Sequence, residues 1–130
     1  MGNQWANFTI DEFKCKCPCG SDNISFELVD RLQIIRELFG RPLRISSGVR
    51  CAAWNEVIGG SPGSSHVPDR DGDGRPGLAV DILVNNSADR FRLIELAISE
   101  FLRIGISKDP GFIHLDIDGH PKAQKVLWLY

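Results

Sequence analysis

Two histidines and a group of aspartates stand where a metal site could use them. His66 lies in the glycine-rich stretch GSSHVPDRDGDGRPG, Asp81 in the apolar run LAVDILV, and His114, Asp116 and Asp118 in FIHLDID. In an extended chain successive side chains point to opposite faces. Asp81 therefore projects away from the face shared by Leu78, Val80, Ile82 and Val84, while Phe112, His114, Asp116 and Asp118 gather opposite Ile113, Leu115 and Ile117. A charge in mid-strand is costly to bury unpaired, so these groups face either water or one another around an ion. Any one of them alone reads as decoration of a solvated face. With His66 added, two histidines and a carboxylate make a three-ligand zinc site whose fourth tetrahedral position is left for water, the arrangement of a hydrolytic metal site.

The loop between these groups carries a second pattern. Asp69, Asp71 and Asp73 take the first, third and fifth places of a D-x-D-x-D-G calcium loop, and Gly74 supplies its turn. The twelfth place, where a bidentate carboxylate belongs, is Val80. Two readings stand: bound calcium, which would order the loop and make activity calcium-dependent, or a solvated acidic loop. The cysteines are Cys15, Cys17, Cys19 and Cys51, three of them in CKCPCG. They fit one or two disulfides, a four-thiolate structural zinc despite the usual C-x2-C spacing, or reduced thiols with no bond between them. A cysteine nucleophile is disfavoured, because none stands with a histidine and an acid in a recognisable signature.

These groups need a framework. Ser25 caps a helix in which Ile24 and Val29 form a hydrophobic staple and Leu28, Leu32, Ile35, Leu38 and Phe39 share a face; Gly40 and Pro42 end it. Leu43 to Ser46 reads as a short strand, followed by the loop SSGVR and a short helix around Ala52 to Ile58. Residues 61–77 read as loop throughout. Ser87 caps a helix running from Ala88 to about Leu102, with Phe91, Ile94, Leu96, Ile98, Phe101 and Leu102 on its apolar flank. Leu78 to Val84, Phe112 to Ile117 and Val126 to Tyr130 are further strands. The expected class is α+β, with helices packed on a small, mostly antiparallel sheet and the ionisable groups on its open face.

Composition sets the bounds. The 130 residues fit one domain spanning 1–130. The chain is 42% hydrophobic and 25% charged, with no apolar run near the ~20 residues a membrane span needs. A net charge of −2 without a Lys/Arg cluster argues against nucleic-acid binding. The opening MGNQWANFTIDEF has no basic patch followed by an apolar stretch, so no secretory signal is expected. The expectation is a monomer made in the cytoplasm, reaching any external site of action only after release.

Ser64-Ser65-His66, Gly77-Leu78-Ala79-Val80-Asp81 and Ile113-His114-Leu115-Asp116 match, in order, the S-x-H, G-x-A-x-D and H-x-D motifs of a known family. The chain resembles the zinc D-Ala-D-Ala carboxypeptidase and L-alanyl-D-glutamate endopeptidase family, which shares its fold with the hedgehog signalling domain. The likeness extends to NFTIDEFKCKCPCG, SSGVRCAAWNEVIGG and VLWLY, and is greatest to short phage and prophage members that act as cell-wall lysins. The resemblance implies that His66, Asp81 and His114 hold zinc and that Arg50 stabilises the oxygen on which negative charge develops. It also implies a peptidoglycan stem peptide as substrate, cut either at the terminal D-Ala or at the internal L-Ala-D-Glu bond.

Three departures from the family pattern matter. Many members carry the proton-transferring carboxylate two or three residues before the last histidine, where this chain has Phe112 and Gly111. Asp116, on the same strand face as His114, is the expected replacement; Asp109 and His120 would need loop geometry to bring them in. Trp54 stands where relatives often have histidine. Gly77 lies eleven residues after His66 instead of three, because DRDGDGRP is inserted. A chain without its base would suit another class of function, a zinc-containing binding module of the same fold.

Overall fold

The chain runs through a 3-10 turn at Ile10–Phe13, then α1 (Phe26–Phe39), β1 (Arg44–Ser47), α2 (Ala52–Val57), β2 (Ala79–Leu83), α3 (Ser87–Ala97), β3 (Arg103–Ser107), β4 (Phe112–Asp116) and β5 (Val126–Leu129). This computed structural model describes residues 5–108, 111–119 and 121–130. The strands form one sheet in the order β1-β2-β4-β3-β5, antiparallel except for the parallel pair β3–β5. Helices α1 and α3 pack together, and α3 also meets β4. The class is α+β, as expected.

Helix α1 forms where its residues require it. The Ser25 side chain accepts from the Leu28 amide at 3.2 Å, and Gly40 ends the helix at φ 78°, a left-handed conformation that glycine adopts without a Cβ penalty. Leu28, Val29, Leu32 and Ile35 are fully buried, each contributing about 1.5–3 kcal/mol of apolar burial. Ile24 and Val29 are both in the core, consistent with the staple.

Helix α3 differs from expectation in cap, length and face. Asn86, not Ser87, accepts the capping hydrogen bond from the Asp89 amide, and the helix ends at Ala97. Its buried residues are Leu93 and Ala97, one turn apart, whereas Phe91, Ile98 and Leu102 are exposed. The apolar residues do not keep to one face at helical spacing, and packing against α1 chose the stripe with small and branched side chains. Beyond the helix, Arg103–Ser107 forms a strand that sequence reading missed. Its central Gly105 lets Trp128 of β5 lie flat: a Cβ there would meet the indole at 2.7 Å.

In β2 and β4 the alternation holds, yet both faces are covered. Val80, Ile82, Ile113 and Leu115 belong to the core, and Asp81, His114 and Asp116 on the opposite face are at most 5% exposed. The face expected to be open thus holds these groups deep, at the base of a cleft. Ionisable groups at that depth must be satisfied by partners.

Candidate metal centre

Sheet register places two of the groups. Asp81 of β2 and His114 of β4 are directly paired residues, so their side chains rise side by side on the same face. A β-bulge between Ile45 and Ser47 of β1 lies beside Asp81 and turns Ser47 toward the site. His66 arrives from the loop, its backbone carbonyl accepting from the Arg50 amide at 3.0 Å. The hydrogen bond from the Leu78 amide to the Ser65 carbonyl, at 2.8 Å, ties that loop to the start of β2.

Three donor atoms converge. His66 Nε2 lies 3.3 Å from Asp81 Oδ1, and His114 Nδ1 lies 2.9 Å from the same oxygen. The three groups are within 4.8 Å of one another and all are buried. Ligands about 2.0–2.2 Å from a tetrahedral zinc stand roughly 3.3 Å apart, so the spacing suits the ion.

The remaining ring nitrogens fix the tautomers. His66 Nδ1 lies 2.7 Å from the Gly48 carbonyl, which can only accept, so Nδ1 carries the proton and Nε2 keeps a lone pair. Burial holds the His66 imidazole below its usual range, outweighing the pull of Asp81, and keeps it neutral. His114 Nε2 donates to Asp116 Oδ2 at 2.7 Å while its Nδ1 faces Asp81. Burial lowers the His114 pKa, but hydrogen bonds to Asp116 and Asp81 outweigh it and the net direction is upward. Burial works against the Asp81 carboxylate too, yet the hydrogen bond from His114 holds it well below the usual carboxylate range. Two neutral-capable imidazoles, one firmly ionised carboxylate and a fixed hydrogen-bond partner behind each ring fit a divalent cation.

Arg50 lies on the wall of this site. Its guanidinium donates to Asp81 Oδ2 at 2.9 Å and to Ser47 Oγ at 3.0 Å, which fixes the positive charge beside the three donors. Asp116 does not stand with them. Its Oδ2 is taken by His114, and its Oδ1 accepts from Arg103 Nε at 2.8 Å and from the Asp118 amide at 3.0 Å. The carboxylate holds the far nitrogen of the ring, where it can orient His114. Three of its four acceptor positions are thereby used, which favours an orienting role over the proton-transfer role expected of it from sequence, although the residue also lines the cleft above the donors. Asp109 and His120, the other residues considered for that role, lie outside the described residues.

Several residues at the site escaped sequence reasoning. A cleft of about 380 Å³ opens over the three donors, lined by Ser61, Gly63, Ser64 and Ser65 on one side and by Trp128 and Tyr130 on another. Trp128 stacks near His114, with ring centroids 5.4 Å apart, and Arg103 lies over the same indole at 5.0 Å. The phenol of Tyr130 is pushed up to about 12 by desolvation and by the Asp81 charge, so it stays a neutral O–H donor. The closing VLWLY was the only sequence signal for these aromatics. None pointed to Arg103.

The acidic insertion does not form a cation cage. Arg70 binds Asp71 at 3.0 Å, and Arg75 binds Asp73 at 2.8 Å and Asp71 at 3.3 Å. Asp69, at φ 53°, accepts from the Gly74 amide at 2.6 Å. Among the described residues, the acid-containing group gathered closely enough for an ion is His66, Asp81 and His114, not the three loop aspartates. Arginines within the insertion itself supply countercharge to its aspartates, in keeping with the second of the two readings, an acidic loop without calcium. Those arginines also anchor the loop: Arg70 reaches the buried Asp118 at 2.6 Å and Arg75 reaches it at 3.5 Å. Burial raises the Asp118 pKa, but hydrogen bonds from Arg70, Ser65 and Lys122 hold the carboxyl well below its usual range.

No curated protein matches the chain. A family model does: Peptidase M15 covers residues 6–116, a span that holds Arg50, His66, Asp81, His114 and Asp116. This is a family of zinc-dependent peptidases, in keeping with the donor set found here. With most of its length inside that match, and with a buried His-Asp-His group able to hold a metal, the chain belongs to the Peptidase M15 family.

Proposed function

We propose that the protein is a zinc metallopeptidase that hydrolyses peptide bonds in the stem peptides of bacterial peptidoglycan, as a cell-wall lysin of phage or prophage type. Membership of the M15 family implies peptide substrates of this kind. One observation carries the reading: His66 Nε2, Asp81 Oδ1 and His114 Nδ1 converge beneath a cleft whose wall holds the Arg50 guanidinium.

In this reading His66, Asp81 and His114 hold the zinc. Zinc, when bound, supplies Lewis acidity, making water nucleophilic near neutral pH and polarising a carbonyl. The chain's own residues supply the rest. The Gly48 carbonyl and Asp116 lock the two imidazoles in the tautomers that present a lone pair to the site. Arg50, held by Asp81 and Ser47, is a preorganised positive charge where an oxyanion develops, and it needs no rearrangement to act. Tyr130 lines the same cleft with a neutral O–H donor. Trp128 shields one flank of His114 from water. Asp116 is a positioning residue; its Arg103 and Asp118 partners hold it there. The stem-peptide substrate puts the place of action at the cell wall, after release from the cytoplasm.

The test is to incubate zinc-loaded protein with purified peptidoglycan and identify new chain ends by mass. Free D-alanine identifies carboxypeptidase action, and new D-glutamate amino ends identify the internal cut. A folded, zinc-loaded protein that releases neither is a binding module, and the enzyme reading fails.

A further inference from the structure

The N-terminal segment and the loop before α2 bring four cysteines together from distant parts of the chain. Cys17 Sγ lies 3.5 Å from both Cys15 Sγ and Cys51 Sγ, and all four sulfurs are within 4.8 Å of one another. A disulfide requires about 2.05 Å between sulfurs. Four thiolates each about 2.3 Å from a central zinc stand roughly 3.8 Å apart. The observed spacing suits an ion among the sulfurs, not a bond between them.

The backbone shows how the compressed C-x-C-x-C run achieves this. The Cys15 amide donates to the Ser21 carbonyl at 2.7 Å and the Gly20 amide to the Cys17 carbonyl at 3.1 Å, with Gly20 at φ 59° completing the reversal. The segment folds back so that three sulfurs face Cys51. Each sulfur also receives one backbone amide: Cys51 N to Cys15, Cys19 N to Cys17, Ser21 N to Cys19 and Trp54 N to Cys51, at 3.4 to 3.5 Å. One N–H per sulfur is the pattern that supports four thiolates. Four negative charges at this separation repel strongly unless a cation sits among them, and a tetrahedral array of soft thiolates suits zinc.

We propose that Cys15, Cys17, Cys19 and Cys51 form a second, structural zinc site, a tetrathiolate that fastens the N-terminal segment to the loop carrying Arg50. The joint it fastens is tight. The Val49 amide donates to the Phe13 carbonyl at 2.7 Å, and a Cβ on Gly48 would meet that carbonyl oxygen at 2.6 Å. Gly48 is also the residue whose carbonyl orients His66. The thiolate site thus braces the backbone behind the other metal centre without taking part in its chemistry.

The test separates the two centres. Full-length protein purified under reducing conditions without chelator is expected to contain two zinc ions per chain by elemental analysis, and a His66→Ala/His114→Ala variant one. Cobalt exchanged into that variant should show intense thiolate-to-cobalt charge transfer and the visible bands of tetrahedral geometry. Zinc X-ray absorption should show four sulfur neighbours at about 2.3 Å. These readouts use intact cysteines and do not depend on hydrolysis, so they stand even where the peptidase reading fails. A folded His66→Ala/His114→Ala variant free of zinc with four titratable thiols overturns the proposal. So does a wild-type mass lowered by the hydrogens lost in disulfide formation.

Discussion

The histidine–aspartate group and the cysteine group both collect donor atoms from far apart in sequence, and they hold them by different means. Asp81 and His114 are opposite residues in a hydrogen-bonded ladder, and His66 is locked by the Gly48 carbonyl. That geometry is built by the sheet, and its buried charges have protein partners in Arg50 and Arg103. The cysteines sit on loops outside the sheet, braced by single amide hydrogen bonds at 3.4 to 3.5 Å. There the proposed ion adds to the packing of Cys15, Cys17 and Cys51 against the core. The contrast teaches that a metal ligated from strands serves chemistry on a scaffold already made, while a metal ligated from turns makes part of the scaffold.

Breaking the first centre should have the largest effect on activity and little on the fold. His114→Ala is expected to reduce peptidoglycan hydrolysis to background while circular dichroism and the thiolate-to-cobalt absorption stay unchanged; loss of the fold would erase the contrast. Removing all metal should instead loosen residues 13–21 and 48–54 far more than β2 and β4, read as hydrogen exchange. Equal protection in both regions would mean that the cysteine loops hold themselves.

A smaller effect is expected at Asp116. Partners behind a ligating histidine are worth about 10–100-fold in metal affinity or activity, so Asp116→Asn should weaken zinc binding by that order while leaving the shape of the pH–rate profile unchanged. Loss of one limb of that profile would restore Asp116 as the proton-transfer group.

The Asp118 network sharpens the comparison through pH. Its carboxyl is held below the usual range in the folded state by Arg70, Ser65 and Lys122. A depressed folded pKa contributes stability that is present above the unfolded value, about 3.9, and is lost as pH falls through the folded one. Wild type should therefore exceed Asp118→Asn in Tm at pH 7, with the gap closing below about pH 4. The smallest effect belongs to the insertion's tip. Replacing Asp71 and Asp73 by Asn should leave Tm nearly unchanged, because exposed ion pairs are worth little. Hydrolysis should be indifferent to calcium removal with zinc retained.

Much of the metal centre was legible in sequence because period-two alternation aims side chains without tertiary knowledge. LAVDILV and FIHLDID set Asp81 and His114 opposite the apolar residues, and the loop motif added His66. What alternation cannot report is depth: it left open whether these groups face water or one another, and the fold sets them at the base of a cleft. Nor can it report who stands behind a ligand, which is why Asp116 read as a free carboxylate. Strand β3 was hidden because RIGIS is short, interrupted by glycine and continuous with a helical pattern. The meeting of Cys51 with Cys15, Cys17 and Cys19 depends on how two loops dock, and no local pattern encodes that. The calcium motif left two readings open because the pattern counts carboxylates and ignores the arginines interleaved with them.

The insertion between His66 and Asp81 closes on itself below its tip. The Asp69 amide meets the Arg75 carbonyl at 2.7 Å, and the Leu78 amide meets the Ser65 carbonyl at 2.8 Å. Gly72, at the apex, is exposed and has open space where a side chain would go, although its φ of 75° disfavours most residues. The neck isolates the apex mechanically from the histidine on one side and the aspartate on the other. New sequence spliced in at the apex, such as an affinity peptide or a cell-surface targeting module, would leave the two ligating residues in register, making this position a natural attachment point for retargeting the protein.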